Sequence, residues 1–345
     1  MKAMIQEKYG SPEVLSLQEI DTPEIGDDDV LIRVHAAGVH SGDWHLMKGE
    51  PYLMRVVGLG FSGPKALVRG MDVAGKVEAI GKNVTRFQTG DDVFGVCDGA
   101  FAEYARAHQD KIAHMPTNLT YELAAAVPTS ACTALQALRD TGEIQSGQKV
   151  LIIGAAGGVG MYAVQVAKSF GAEVTGVCRT AKMEFVRSIG GDHVIDYTAG
   201  DFTRSGIRYD LILDTGGNRS LAALRRTLTP NGTLVLVGGE SDDRVIGVLT
   251  RSIRALLLSP FVSQQLRMIL SITKGHDLQV LKDLIEAGKV APIIDRTFPL
   301  SEVPDAIRYL SAGHARGKIV IDVSGQVHHA AHMDSVRTEL DLATA

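Results

Sequence analysis

The chain changes its hydrophobic rhythm near Leu119. Before that point short apolar runs alternate with turn residues. VLIRVHAAGV (Val30–Val39) is valine-rich and reads as a strand. VAGKVEAIGKNV (Val73–Val84) reads as strand, glycine turn, strand, and TGDDVFGV (Thr89–Val96) as a turn before another strand, with AFAEYARA (Ala100–Ala107) following. Short strands punctuated by Gly, Asp and Asn predict a small, partly open β-barrel. The stretch Asp43–Leu67 carries Trp44, Tyr52 and Phe61 among glycines and prolines and reads as a long irregular connection. Connections of that length inside a compact domain are usually functional.

After Leu119 the period lengthens. LTYELAAAVPTSACTALQALRD predicts two short helices broken at Pro128, the first started by Thr120. Five apolar strands follow: VLIIGA, EVTGVCR, HVIDY, YDLILDT and GTLVLVGG. They alternate with helices over Val159–Phe170, Ala181–Ile189 and Ser220–Leu228, and Pro230-Asn231-Gly232 reads as a turn feeding the last strand. That alternation predicts a parallel sheet covered on both faces. Val245–Ile272 reads as an amphipathic helix, either packed on the sheet or at a subunit interface, or walling an apolar substrate. Asp277–Val290 reads as a helix with a glycine end, and Arg296–Val323 as strand, Ser-capped helix and strand. Residues 326–345 read as a tail, and its His328, His329 and His332 as tail residues rather than metal ligands.

The informative turn is KVLIIGAAGGVG (Lys149–Gly160). A buried strand, a glycine turn and a helix N-terminus make a pyrophosphate site, because free backbone N–H groups and the helix dipole both favour an anion. Ala156, Gly157, Gly158, Val159 and Gly160 are therefore expected to bind a dinucleotide. The end of the next strand decides which one. An NAD site wants Asp or Glu there. This chain has Arg179, Thr180 and Lys182, which suit a 2′-phosphate, so NADP(H) is the expected cofactor; the alternative is that both basic residues are solvated surface charges.

Composition narrows the partners. The 345 residues are enough for two domains, and 45% hydrophobic with 22% charged residues is ordinary for a globular protein. A net charge of −5 with no basic run argues against nucleic acid. Cys97, Cys132 and Cys178 are widely spaced, which excludes a disulfide framework and fits a reducing, cytoplasmic setting. No apolar leader opens the chain, and Arg251, Arg254 and Pro260 interrupt its most apolar later stretch, so neither a signal peptide nor a membrane span is expected.

Motif order then carries a resemblance over nearly the whole chain. AAGVHSGDWHLMKG, GMDVAGKVEAIGKNVTRFQTGDDVFG, AAAVPTSACTALQAL, KVLIIGAAGGVG, GGDHVIDY, LTPNGTLVLVGG and GKIVIDV occur in the order of the medium-chain dehydrogenase/reductase superfamily. The chain resembles its quinone oxidoreductase and enoyl reductase branch. The resemblance implies an α/β fold: a GroES-like catalytic domain (residues 1–120, completed by 292–325) and a Rossmann NADP-binding domain with a doubly wound parallel sheet (121–291). It also implies a homodimer. Thr133 resembles a position beside the nicotinamide, Tyr197 one flanking the adenosine phosphate, and Gly238 and Lys318 positions lining the cofactor and its phosphate. The superfamily's zinc branch uses a Cys, a His-Glu pair and a later Cys. Here the matching positions hold His40, Met71-Asp72 and no cysteine near Pro128-Thr129, so no metal is expected.

Without a metal the acceptor must be activated already, which suits a small-molecule quinone or α,β-unsaturated carbonyl. Tyr52 follows Gly49 near a tyrosine of the resembled reductases, with the spacing one residue longer. His45 replaces an aromatic two residues after Asp43 and is the other candidate acid. Either side chain equally suits simple packing in the connection. A zinc-type alcohol dehydrogenase with unusual ligands, and an NADPH-binding sensor without turnover, stay open at this point.

Overall fold

The computed structural model describes residues 1–52, 55, 60, 63–238 and 249–325. The tail 326–345 with its three histidines, the start of the Val245–Ile272 segment and part of the Asp43–Leu67 connection lie outside the described residues.

A short hairpin opens the chain, β1 (Lys2–Gln6) with β2 (Leu15–Glu19). Next come β3 (Asp29–Val39), α1 (Ser41–Lys48), β4 (Asp72–Ile80), β5 (Asp92–Val96), β6 (Tyr104–His108) and β7 (Ile112–His114). Two short helices, α2 (Tyr121–Ala125) and α3 (Pro128–Gln136), lead into the α/β part. That part runs β8 (Lys149–Ile153), α4 (Gly158–Ser169), β9 (Glu173–Cys178), α5 (Met183–Ser188), β10 (His193–Asp196), β11 (Tyr209–Asp214), α6 (Leu221–Arg226), β12 (Leu228–Leu236), α7 (Leu249–Leu258), β13 (Gln265–Met268) and α8 (Gly275–Glu286). The chain ends in β14 (Ile294–Pro299), α9 (Val303–Ser311) and β15 (Lys318–Asp322).

Two sheets carry the architecture. β10-β9-β8-β11-β12-β13 form a six-stranded parallel sheet. The chain leaves β8 toward one edge and returns past it to β11, so the strand order reverses between β8 and β11. In such sheets the crevice at that reversal is where ligands bind. The other sheet runs β14-β15-β3-β4-β5-β7, with β6 also paired to β3. β15 lies antiparallel to β3, with Ile319 opposite Val39, so the end of the chain completes the sheet begun at its start. The α/β architecture, GroES-like lobe and Rossmann-like sheet agree with the reading of the sequence. One core cluster joins the lobes: Ala36, Ala74, Phe94 and Val320 of one sheet share it with Val150, Ile152 and Leu213 of the other. The buried alanines and Leu135 of α2 and α3 fill the seam.

Several local expectations need correction. The connection after Val39 begins with α1, because Asp43 folds back to accept the His40 N–H at 2.9 Å and starts a helix. In Val73–Val84, β4 ends at Ile80 and a turn follows at Lys82–Asn83, but the second strand expected there is missing, the next being β5. Pro230-Asn231-Gly232 lies within β12, as an irregularity in its pairing to β11 rather than a turn before it. The expected long helix over Val245–Ile272 holds α7 and then β13, which adds an edge strand beside β12. Ser301 sits in a 3₁₀ turn, and Glu302 precedes α9 instead. Pairing with neighbouring strands decides the course of β12 and the formation of β13, and local periodicity does not carry it.

Close approach at the glycine turn is a stability requirement. Gly154 has φ of 82°, and a Cβ there would meet Thr215 Oγ1 at 2.3 Å. A Cβ at Gly160 would meet the Gly154 carbonyl oxygen at 2.1 Å, a backbone atom that cannot swing aside. Gly160→Ala is expected to cost about 1–3 kcal/mol through overpacking. Urea unfolding should show a lower midpoint with an unchanged slope; an unchanged midpoint would show that the turn yields freely.

Candidate active site

The cofactor turn sits at the strand-order reversal. Gly157 precedes α4 with no side chain capping the helix, so the first-turn N–H groups of α4 keep their capacity for an anion. Thr215 Oγ donates to the Ile153 carbonyl at 2.8 Å and laces the end of β11 to that of β8. Asp214, fully buried, accepts from the Gly216 and Gly217 N–H groups at 3.1 and 3.0 Å. Arg251 of α7 reaches it at 2.6 Å, so a charge pair ties α7 to the same strand end. Gly238 follows β12 by two residues, and among the described residues no atom lies within 4 Å of where its Cβ would stand.

A buried ammonium joins this turn to the other lobe. Lys318, the first residue of β15, is 2% exposed. Its Nζ donates to the Val39 carbonyl at 3.1 Å and to Ser130 Oγ at 3.0 Å. It stands 3.6 Å from Asp72 Oδ2, an ion pair rather than a hydrogen bond. The lysine stem passes the turn: a Cβ on Gly158 would lie 3.4 Å from its Cδ. Burial pulls the Lys318 pKa down, and Asp72 and then Asp43 oppose that shift. Asp72 Oδ1 accepts the Thr129 N–H at 3.0 Å and the Thr129 hydroxyl. Thr133, one turn along α3, donates its hydroxyl to the Thr129 carbonyl at 2.7 Å. β15, β4 and α3 therefore meet on one charge pair.

The zinc-branch positions cluster here without forming a ligand set. His40 Nε2 stands 3.7 Å from Asp43 Oδ2 and has no hydrogen-bond partner. Among the described residues no group of three or more His, Cys, Asp or Glu is arranged to hold a metal ion. Burial pushes the Asp43 carboxyl above the usual carboxylate range, opposed first by His40. His45 lies on the exposed side of α1, while Asp43 is buried. Tyr52 is 40% exposed and packs under Arg55, whose guanidinium carbon is 4.5 Å from the ring centre.

At the end of β9 the expected adenosine-side residues do converge. Arg179 Nε donates to the Tyr197 hydroxyl at 2.7 Å. The Thr180 hydroxyl donates to Asp196, whose carboxyl the Thr180 and Thr198 hydroxyls hold below the usual range. Lys182 Nζ is spent on the carbonyls of Gly313 and Ala315, at 3.1 and 2.5 Å, and so pins this strand end to the loop before β15. Burial, then Arg179, lower the Lys182 pKa, and Arg316 adds to that effect. The sequence pointed to no site role for Arg316, Thr129, Ser130 or the Asp214–Arg251 pair. Arg316 left a trace, as a second cation two residues before Lys318.

Profile matches cover both lobes: the alcohol dehydrogenase GroES-like domain over residues 26–117 and the zinc-binding dehydrogenase family over 189–321. The mouse (Mus musculus) protein named NAD(P)H oxidoreductase RTN4IP1, mitochondrial, is 35% identical over 94% of this chain and 89% of its own length. The chain belongs to the medium-chain dehydrogenase/reductase superfamily. A second superfamily relative, the chloroplastic NADPH-dependent alkenal/one oxidoreductase of Arabidopsis thaliana, is 31% identical over 93% of this chain and 79% of its own. Among solved structures, the quinone oxidoreductase from Coxiella burnetii superposes with a TM-score of 0.83 at 29% identity, over 94% of this chain and 99% of that one. The chain is accordingly an oxidoreductase of the kind that uses NAD(P)H. No helix among the described residues is long and apolar enough to cross a membrane.

Asp43 gives this site a pH signature. Its folded pKa is raised, so it favours folding while protonated and loses that contribution as pH rises through the folded pKa. Asp43→Asn should match the wild-type stability near about pH 3, below the ordinary carboxylate pKa. It should become the more stable of the two as pH rises. Paired denaturant titrations across pH check this; a difference constant with pH would refute it.

Proposed function

We propose that this chain is an NADPH-dependent reductase of quinones or α,β-unsaturated carbonyls that works without catalytic zinc. The observation that carries the reading is the buried Asp72–Lys318 pair. A zinc site wants thiolate, imidazole or carboxylate in tetrahedral array. Here an ammonium stands 3.6 Å from the one carboxylate at those positions, and it opposes a dication by charge. The other oxygen of Asp72 is engaged by Thr129, and the neighbouring Met71 offers only a thioether. This donor set does not fit zinc, and no step is routed through it.

NADPH fits the residues better. The N–H groups of Ala156–Gly160 and the uncapped start of α4 would take the pyrophosphate. Arg179, Thr180 and Tyr197 would surround the 2′-phosphate, with Lys182 and Arg316 adding positive charge. Thr133 and Gly238 would flank the nicotinamide end, beside Lys318. The dinucleotide, when bound, supplies a hydride. A conjugated acceptor needs only a hydrogen-bond donor for the charge that gathers on its oxygen. His45 and Tyr52 are the proposed proton donors, one on the exposed side of α1 and the other just beyond its end. The names of the Arabidopsis and Coxiella proteins support an enone or a quinone as acceptor. The proposal also includes a two-domain division at about residues 120 and 292, a homodimer and a cytoplasmic location.

Two measurements test it. Arg179→Ala should weaken NADPH by about tenfold or more while leaving NADH nearly unchanged, read as KM or as equilibrium binding. Equal losses for both cofactors would remove Arg179 from the 2′-phosphate site. NADPH oxidation against a panel of quinones and enones should proceed in purified protein stripped of metal by chelation. Activity lost with stoichiometric zinc would favour an alcohol dehydrogenase, and tight NADPH binding with no turnover a sensor.

A further inference from the structure

A cavity of about 400 Å³ lies in the N-terminal lobe, against the strand that carries Asp72. Its walls include Asp43 and Leu46 of α1, Val68, Arg69 and Met71 from the approach to β4, and Cys97 just after β5. The volume falls within the range of small-molecule sites, about 300–1,000 Å³. Most of these side chains are apolar, and Arg69 is the exception that calls for an explanation. Its Nε and Nη2 are shut off from water and make no hydrogen bond among the described residues. Native proteins rarely leave buried donors unmade, least of all charged ones.

The two idle donors belong together. Nε–H and Nη2–H form one edge of the guanidinium, the fork that grips both oxygens of a planar anion. Asp43 is the nearest candidate within the chain, yet its Oδ2 is engaged by the His40 N–H. Burial depresses the Arg69 pKa, and Asp43 and Tyr9 only oppose that shift through space. Neither nitrogen is accessible from the cavity as the side chain stands, so gripping an anion requires the guanidinium to turn, and neither would give up a hydrogen bond in doing so. The other charged residues on the wall are Asp43, an exposed Lys65 and an exposed Asp98, which Arg106 approaches to 3.3 Å. Cations and carboxylates are equal in number there, so any preference for an anion comes from the Arg69 fork itself.

We infer that this cavity is the acceptor pocket, and that Arg69 selects acceptors bearing a carboxylate by gripping both of its oxygens. The inference rests on the reductase reading and narrows it to conjugated keto acids and their like. Arg69 is a specificity-determining residue under this assignment and takes no part in hydride transfer.

The test uses the full chain and separates binding from turnover. Calorimetry with 3-benzoylpropionate, a saturated keto acid with no reducible double bond, and with its methyl ester reads the pocket alone. The wild type should bind the acid at least about tenfold tighter than the ester. Arg69→Gln should abolish that preference while leaving ester affinity and the thermal midpoint unchanged, and Arg69→Lys should keep part of it. Equal binding of acid and ester by the wild type, or a preference that survives in Arg69→Gln, overturns the assignment. If Arg69→Gln does not fold, the wild-type ratio and the lysine variant still decide. NADPH oxidation with 3-benzoylacrylate and its methyl ester then tests the reductase reading. A carboxylate preference in binding without turnover of either enone would uphold the pocket and sink the reductase.

Discussion

The buried ammonium of Lys318 is the constraint on which the rest of the site depends. An isolated charge in a protein interior is prohibitively costly, so everything around it must compensate. The Val39 carbonyl, the Ser130 hydroxyl and the Asp72 carboxylate do so from β3, α3 and β4. Those elements must meet at one point for the charge to be tolerated. Because Lys318 opens β15, this also fixes where the end of the chain re-enters the first sheet. Its stem lies against Gly158, so the same residue sets the height of the cofactor turn relative to the catalytic lobe.

A second set of contacts closes the seam further out. Gly317 N–H donates to the Ala156 carbonyl at 3.3 Å, and Lys182 holds the carbonyls of Gly313 and Ala315. The loop before β15 is therefore tied to the parallel sheet at both the glycine turn after β8 and the end of β9. The lobes also share a continuous core through α2 and α3. A polar seam over an apolar one gives register as well as adhesion, since hydrogen bonds specify positions that hydrophobic contact leaves free. On this frame the charged groups differ in how far they are satisfied. Lys318 makes two hydrogen bonds and an ion pair, and Asp72 divides its oxygens between Thr129 and that ion pair. The Arg69 fork makes no hydrogen bond among the described residues and lines a cavity, which is the physical basis for assigning that cavity to a ligand.

Membership of the superfamily and chemistry within it separate along the same line. The mouse and Coxiella proteins are similar to this chain over most of its length, the first in sequence and the second in fold as well. The positions that hold a metal in the zinc branch are where it departs, with an ion pair and a thioether in their place. The fold provides a dinucleotide crevice, and the side chains facing it decide which acceptor is reduced.

The sequence by itself determined the elements whose reasons are local. Gly154 and Gly160 are glycines because a positive φ and a backbone contact admit nothing larger, and that constraint is visible as a spacing. Apolar runs between turns announced five of the parallel strands. Local pattern was silent or misleading where long-range pairing decides. β13 is a four-residue alternation, too short to stand out from the apolar stretch around it, and it pairs on the edge that β12 offers. Asp72 and Lys318 lie 246 positions apart by their numbers, and nothing in either neighbourhood says that they meet. The Arg69 fork and its cavity are likewise products of packing, since only the folded chain shows which donors are left without an acceptor.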